Sequence, residues 1–381
     1  MLQIDNIIFV LGMHRSGTSA ITHLLSILGA DLGKNLLMGQ TDINKKGFWE
    51  NQELIEIHDT ILETLDSAWF DFRSIPKEWW LKEDIQPYYS KILHVIERDY
   101  SDFGLMAVKD PRLCRLLPLW LKCLKKNTRN IMCVLVLRNP FEVVLSLVKR
   151  DSMDRGTAIF LWLTYVLESE FYSRGLTRTV VNYDVILKDW RTEVIRMSDD
   201  LSMKWPIPLN QVESSIAEEL DPKLRHHHTT DQNYENSDKL MLKALEVYNK
   251  INSNKLEDIR EYLDKVRSEF YEWKLPPAFL ADTLHRTNQL LVIKTKQHMR
   301  LGENHHRTLK IINERDRQHS EKDQQITELD RQLAEKDQHI TKRDQQLAEK
   351  DQHITERDRQ LDRIQSHWTW RIVWRLMNKG L

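Results

Sequence analysis

The stretch that decides the fold is residues 7–19, which read Ile-Ile-Phe-Val-Leu-Gly-Met-His-Arg-Ser-Gly-Thr-Ser. A continuous apolar run stops at Gly12, and a helix with apolar periodicity begins directly after the hydroxyl-rich loop. The first amides of a helix have no intrahelical partner and carry the positive end of the peptide dipoles, so they attract anionic oxygens. The stretch therefore predicts a strand, a phosphate-binding loop and a helix.

The loop departs from the pattern of a nucleotide triphosphatase. Gly12 and Gly17 have the Walker A spacing. Thr18 stands where that pattern has lysine, and the cation of the loop is Arg15 instead. A later apolar run ends at Arg138, where a Walker B strand would present an aspartate to magnesium. A cation at that place binds phosphate directly, so these residues predict a metal-independent site for a nucleotide with two separate phosphate groups.

The composition limits the classes of function. The 381 residues carry a formal net charge of −1, so no global field attracts nucleic acid, and any anion binding must come from local arginines and lysines. The three cysteines, Cys114, Cys123 and Cys133, lie in apolar segments, which predicts buried thiols and no disulfide framework. The sequence starts without a leader pattern, and no apolar stretch approaches about 20 residues. These features predict a cytoplasmic protein.

Four short apolar runs alternate with helical patterns. The predicted strands are 6–12, 104–109, 131–137 and 178–183. Such runs are typical of a parallel sheet that helices cover on both faces, so the fold class is α/β with a P-loop-type sheet. Ligands bind outside the carboxyl ends of the strands in these sheets. The loop, Lys109 and Arg138 are therefore expected at one edge.

The chain divides into four parts by pattern. We predict an α/β domain over 1–230, a helical subdomain or stalk over 231–310, a heptad-repeat helix over 311–365 and a Trp/Arg-rich tail over 366–381. The second part has i, i+3, i+4 apolar spacing and few β-branched residues, which favours helices. Its helical segments are 238–252, 255–273 and 276–300.

The repeat between Arg315 and Arg363 has a period of seven residues and predicts a long coiled-coil-like helix. Its regular apolar positions are Ile326, Leu333, Ile340, Leu347, Ile354 and Leu361. The companion core position holds aspartate or a basic residue, apart from Leu329. A coiled coil loses about half of its seam in this way, so a homo-oligomer formed through it would be weak. A solvated single helix with i, i+4 ion pairs is the alternative.

The tail combines three tryptophans with arginines. Trp368, Trp370 and Trp374 alternate with Arg371 and Arg375. This pattern suits peripheral contact with a membrane interface or docking onto a partner. Docking onto the chain's own surface is equally compatible with it.

With these motifs, the chain resembles the sulfotransferases that use 3′-phosphoadenosine 5′-phosphosulfate (PAPS). Residues 14–19 resemble the 5′-phosphosulfate loop of that family. Residues 138–140 (Arg-Asn-Pro), followed by Ser146, are similar to its 3′-phosphate segment. The resemblance covers roughly residues 1–230. The resemblance is to the bacterial type of this family. Because the cation of the loop is arginine, the chain is more similar to the carbohydrate- and tyrosine-modifying members than to the cytosolic members.

The resemblance implies PAPS as cosubstrate and no metal. Arg15 and Lys109, the latter in a Lys-Asp-Pro-Arg turn, would neutralise charge on the leaving side of the transferred group. The residues implied in holding the nucleotide are His14, Arg15, Ser16, Gly17, Thr18, Ser19, Arg138, Ser146, Tyr183 and Arg225. The structural alternatives are a strand-ending turn for Lys109 and an ordinary strand-end tyrosine for Tyr183. Three consecutive histidines at 226–228 point in different directions and predict no metal site.

The acceptor hydroxyl needs a base, and three residues are candidates. Glu50 is favoured because the carbohydrate and tyrosine enzymes use a glutamate after the first helix, and because its aromatic neighbours would desolvate it and raise its pKa. Its alternative role is a cap or first-turn carboxylate of a helix starting near Gln52. His58 is the second choice and Asp110 the third.

The expected acceptor is a carbohydrate or glycoconjugate. Four tryptophans near the expected mouth of the site would suit stacking on sugar faces: Trp49, Trp69, Trp79 and Trp80. Two rival functions remain open. One is a P-loop kinase or NTPase-like protein, and the other is a non-catalytic scaffold that assembles through the heptad helix.

Overall fold

The computed structural model describes residues 4–37, 47–100, 104–125, 127–220, 239–273 and 278–377. The chain forms two compact units, Met1–His285 and Arg286–Leu381. None of the helices in the described ranges has both the length and the apolar character that a membrane span requires.

The first unit alternates strands with helices. Its strands are β1 (Ile4–Leu11), β2 (Met106–Lys109), β3 (Thr128–Leu137) and β4 (Thr177–Asn182). Its helices are α1 (Thr18–Ile27), α2 (Gln52–Thr64), α3 (Pro87–Asp99), α4 (Leu113–Leu124), α5 (Pro140–Asp151), α6 (Arg155–Tyr172), α7 (Tyr183–Ile186), α8 (Trp190–Asp200), α9 (Leu209–Glu219), α10 (Lys239–Ser253) and α11 (Arg260–Trp273). A short 3-10 helix covers Trp79–Leu81. Each predicted strand is present.

The described strands pair in the order β2-β1-β3-β4, and every pair is parallel. Val10 of β1 lies opposite Lys109 of β2, and Leu11 lies opposite Leu135 of β3. The predicted α/β class with a parallel sheet is confirmed. This order brings the carboxyl ends of β1, β2 and β3 side by side, which is where the phosphate loop, Lys109 and Arg138 stand.

The sheet is buried on both faces. Alternate residues of β1 face opposite sides, yet Ile7, Ile8, Phe9 and Val10 are all fully buried. Ile8 and Val10 belong to a cluster with Leu24 of α1 and with side chains of α8 and α9. Phe9, on the other face, packs edge-on against Trp120 of α4. Burial on both faces explains why the strands read as continuous apolar runs.

The second unit consists of most of α12 (Ala278–Met377). The predicted heptad region is helical throughout. Its regular apolar side chains that the structure describes are exposed: Ile326, Leu333, Leu347, Ile354 and Leu361. Self-association through this seam stays a prediction, as does the division of the chain into the four parts given above.

Candidate active site

The phosphate loop has the shape that its two glycines permit. A Cβ at Gly12 would lie 2.8 Å from the carbonyl oxygen of Val136 in β3, so the loop passes too close to the neighbouring strand for a larger residue. Gly17 has a φ of 92°, and a Cβ there would lie 2.2 Å from the ring of Tyr183. Arg15 also has a positive φ, 70°. The loop therefore turns sharply and presents the first amides of α1 next to Tyr183.

Arg15 and Arg138 lie together beside this loop. Arg15 Nε donates a hydrogen bond to Ser146 Oγ at 2.8 Å, and Arg138 Nη1 donates one to the carbonyl oxygen of Arg15 at 3.1 Å. The guanidinium of Arg138 lies over the ring of Tyr183, 5.1 Å from its centre. We call Arg15, Arg138, Ser146 and Tyr183 the arginine cluster. It joins the two segments predicted to bind phosphate with Tyr183, which was predicted to line the nucleotide pocket.

A buried carboxylate holds Arg138 in place. Arg138 Nε and Nη2 both donate to Glu142 Oε2, at 3.1 and 2.9 Å, and the side chain of Glu142 is fully buried in α5. Glu142 was not among the residues predicted for the site. Its spacing of four residues from Arg138 was the signal available in the sequence, since such pairs meet when the second residue lies on a helix.

Lys109 and Glu50 form a second group at the end of β2. Lys109 Nζ donates to Glu50 Oε1 in a short ion pair, to Ser19 Oγ at 3.2 Å and to the carbonyl oxygen of Phe48 at 3.0 Å. We call Lys109, Glu50 and Ser19 the lysine cluster. It connects the phosphate loop to the predicted base, and both members of the ion pair are buried.

Glu50 does not cap the following helix. Asn51 occupies that position, because its side chain accepts hydrogen bonds from the amides of Glu53 and Leu54 at the start of α2. Burial raises the pKa of Glu50 above its usual value, although the ammonium group of Lys109 opposes the shift. A carboxylate with a raised pKa is a stronger base than an ordinary glutamate, which suits it to accept a proton.

Asp99 fixes the segment that carries Glu50. Its carboxylate accepts hydrogen bonds from Arg98, from Asn51 at 2.7 Å and from Asn35 at 3.3 Å. The hydrogen bond from Arg98 is the main cause that lowers the pKa of Asp99 from 3.8 to about 2, and the two asparagines add to it. The cap of α2 therefore depends on an ionised carboxylate.

This dependence gives a prediction for stability against pH. Because the folded pKa of Asp99 is depressed, its contribution is present above the unfolded pKa, near 3.8, and is lost as the pH falls through about 2. The free energy of unfolding of the wild type should therefore approach that of Asp99→Asn over this range. Denaturant titrations at a series of pH values measure it. The exposed Asp84→Asn is the control, and an unchanged difference between wild type and Asp99→Asn would contradict the assignment.

The two other candidate bases are tied to each other. His58 Nδ1 contacts Asp110 Oδ2 at 2.8 Å, and Trp120 donates to His58 Nε2 at 2.9 Å. Burial disfavours the ionised form of Asp110, but the charge of Arg112 and the hydrogen bond from His58 outweigh it and hold the pKa of Asp110 well below its usual value. Both histidine nitrogens and both carboxylate oxygens are engaged. This arrangement favours a positioning role for the pair.

His14 of the loop packs against Trp69. Its ring contacts Trp69 at 4.7 Å between centres, and its buried Nε2 has no hydrogen-bond partner in the described part of the chain. Burial and the positive charges of Arg150 and Arg112 lower the pKa of His14 well below its usual value, so the ring is neutral near pH 7. Arg150 was another residue that the motifs did not single out.

The remaining predicted residues stand as follows. Ser16 and Thr18 are buried in the loop and at the start of α1. Arg225 and the three histidines at 226–228 lie outside the described residues. Within the described residues, no three His, Cys, Asp or Glu side chains are grouped to hold a metal ion. Cys114, Cys123 and Cys133 are buried free thiols, as predicted.

No protein-family model matches the sequence. No curated protein matches it either. Among solved structures, the chain is similar to the sulfotransferase domain of the Synechococcus PCC 7002 olefin synthase, with 15% identity over 67% of this chain and 97% of that domain and a TM-score of 0.41. It is similar to the sulfotransferase domain from the curacin biosynthetic pathway, with 13% identity over 64% of this chain and 98% of that domain and a TM-score of 0.34. A third similar structure is retinol dehydratase in complex with androsterone and inactive cofactor PAP, with 13% identity over 71% of this chain and 81% of that chain and a TM-score of 0.28.

Proposed function

We propose that this protein is a sulfotransferase that uses PAPS and transfers the sulfuryl group to a hydroxyl of a carbohydrate or glycoconjugate. One observation carries the proposal. Arg138, at the end of β3, contacts the backbone of the phosphate loop and lies in one cluster with Ser146. A cation and a hydroxyl therefore stand beside the helix amides, where a magnesium-dependent enzyme would need a carboxylate.

The charges around the loop suit a ligand with several negative charges. Burial, together with the nearby positive charges of Arg150 and Arg138, lowers the pKa of Arg15. Burial and the positive charge of Arg150 also lower the pKa of His14. An anion between these groups would relieve the repulsion, which is the usual property of a phosphate site. The arginine cluster would hold the 3′-phosphate, and the amides and hydroxyls of residues 16–19 would hold the 5′-phosphosulfate.

The lysine cluster is placed for the chemistry. PAPS supplies a sulfuryl group on a phosphate leaving group. As the acceptor oxygen bonds to sulfur, the bond from sulfur to the phosphate oxygen breaks, and the acceptor gives up its proton. In this proposal Glu50 takes that proton, while Lys109, which contacts both Glu50 and Ser19 of the loop, neutralises charge on the leaving side. Arg15, which donates a hydrogen bond to Ser146, would neutralise charge on the leaving side together with Lys109.

Trp69 supports a carbohydrate as the acceptor. Trp69 is half-buried beside His14, and the guanidinium of Arg150 lies 5.9 Å from the centre of its ring. An aromatic face next to a cation suits a sugar ring that carries an acidic group. Trp79, in contrast, is fully buried and belongs to the core, so the expectation that it lines the mouth is wrong.

A calorimetric titration tests the nucleotide assignment. Adenosine 3′,5′-bisphosphate should bind, and chelation of magnesium with EDTA should leave its affinity unchanged, because cations of the chain hold both phosphates. ATP should bind more weakly with or without magnesium. Magnesium-dependent ATP binding without bisphosphate binding would instead identify a kinase or NTPase. Turnover with labelled PAPS and a panel of sugars, tyrosine peptides and simple alcohols then tests the acceptor class.

Ser146→Ala tests the 3′-phosphate position. The variant removes one hydroxyl and no charge, so it should weaken binding of adenosine 3′,5′-bisphosphate by about 1.5–3 kcal/mol, the range of a hydrogen bond to a charged group. Binding of adenosine 5′-phosphate, which lacks the 3′-phosphate, should hardly change. Equal losses for both nucleotides would contradict the assignment. Ser152→Ala, just beyond the end of α5, is the matched control.

A further inference from the structure

The last turns of α12 differ in composition from the rest of that helix. We call residues 363–377 the tail segment. The acidic residues of the heptad repeat end at Asp362, and the tail segment contains no aspartate or glutamate. It does contain Arg363, Arg371 and Arg375. A helix that is balanced in charge along the repeat thus becomes purely basic at this end.

The tail segment also exposes its largest apolar side chains. The exposed fractions of Trp368, Trp370, Ile372, Val373, Trp374 and Met377 lie between 51 and 76%. Trp370, Val373, Trp374 and Met377 have i, i+3, i+4, i+7 spacing and share one face. Trp368 and Ile372 extend the apolar surface around the helix, while Arg371 and Arg375 lie one turn apart on the remaining side. An apolar surface of this size on a helix is a typical interaction site.

The tryptophan positions disfavour a second copy of the helix as the occupant. The heptad seam that runs through Ile326 and Leu361 continues at Trp368 and then meets Arg375. Trp370 and Trp374 lie off that seam, so a coiled coil along it would leave both in water. The tail segment therefore needs a binding surface that accepts apolar side chains from a wide arc of the helix.

We propose that the tail segment binds in the surface of a membrane that contains anionic lipids. Tryptophan is enriched at membrane–water interfaces, because its ring is apolar and its N–H stays hydrated. The arginines complement anionic headgroups at the same depth, and no acidic side chain of the tail segment opposes them. The helix would lie parallel to the surface, with Arg371 and Arg375 toward the headgroups and Val373 toward the acyl chains. The tryptophans on either side of Val373 would lie at the interface.

Vesicle flotation of the full-length protein tests this proposal. The protein should float with vesicles of mixed phosphatidylcholine and phosphatidylglycerol and bind much less to phosphatidylcholine alone. Combined Trp368→Ser, Trp370→Ser and Trp374→Ser should reduce binding about tenfold or more, since affinity follows the buried apolar area. Combined Arg371→Gln and Arg375→Gln, which keep the tryptophans, should reduce binding to the mixed vesicles about thirtyfold, because each basic residue near an anionic surface adds roughly a factor of five.

The matched control removes three equally exposed side chains upstream in the same helix. Leu333→Ser, Leu347→Ser and Leu361→Ser should leave flotation unchanged, and an equal loss would overturn the proposal. So would failure of the folded wild type to float with either vesicle. Sedimentation velocity without lipid tests whether the tail segment binds a second copy of the chain instead. If the wild type associates and the tryptophan variant does not, the tail segment binds a second copy and the membrane assignment is wrong.

Discussion

Replacing Glu50 with glutamine should lower kcat by about 10²–10⁴-fold, the usual share of a general base, with nucleotide affinity nearly unchanged. Glutamine keeps the size of the side chain and an oxygen that can accept from Lys109, but it cannot take a proton. Lys109 also retains its contacts with Ser19 and with the carbonyl oxygen of Phe48. Single-turnover rates and calorimetric binding, measured together, separate the two effects.

The pH–rate profile should change in the same variant. A base must be ionised to act, so activity falls as the pH drops through its pKa. Because burial raises the pKa of Glu50, this acidic limb should lie above the range of an ordinary glutamate. It should vanish in Glu50→Gln. Glu56→Gln, at an exposed position of α2, is the control and should behave like the wild type. A near-normal kcat in Glu50→Gln would make Glu50 structural.

Replacing Arg138 with alanine should lower the free energy of unfolding by about 3–5 kcal/mol, even without nucleotide. The change removes the guanidinium that compensates the charge of Glu142, whose side chain is fully buried. Denaturant titration of the ligand-free protein measures the loss. Arg138→Ala combined with Glu142→Gln removes both charges and should recover much of it.

A surface pair provides the comparison. Arg150 and Asp151 are paired at 2.6 Å but are only half-buried, so Arg150→Ala should cost about 1 kcal/mol or less. If Arg138→Ala is as stable as the wild type, the pair with Glu142 does not hold α5 to the sheet. The same consideration makes Ser146→Ala the cleaner variant for nucleotide binding, because it leaves no charge uncompensated.

The sheet could be predicted because its strands are buried on both faces. A continuous apolar run such as that of β1 indicates a buried strand when a glycine-bounded loop and a helix follow it directly. The ends of β1, β2 and β3 then place the loop, Lys109 and Arg138 at one edge without knowledge of any side chain. The cap of α2 is Asn51 and not Glu50, which the sequence had left open as a possible cap.

The contacts within the site could not be predicted in the same way. Arg15 contacts Ser146, which lies 131 residues further along the chain, and Glu50 contacts Lys109 at a separation of 59 residues. Such pairs depend on how α2 and α5 pack, which periodicity does not encode. Trp79 illustrates the same limit. Tryptophan serves both cores and binding surfaces, and only the packing of the segment around the 3-10 helix decides that this one is interior.

The hydrogen bond from the Gly12 amide to the Sγ of Cys114, at 3.0 Å, gives the phosphate loop a chemical reporter. Burial raises the pKa of the Cys114 thiol far above its usual value, so the closed loop keeps this sulfur protonated and unreactive. An alkylating reagent can therefore modify Cys114 only through an opening of the structure that exposes it. The labelling rate of this cysteine should measure how often that opening occurs, and a nucleotide that binds the loop should slow labelling by the factor 1 + [L]/Kd.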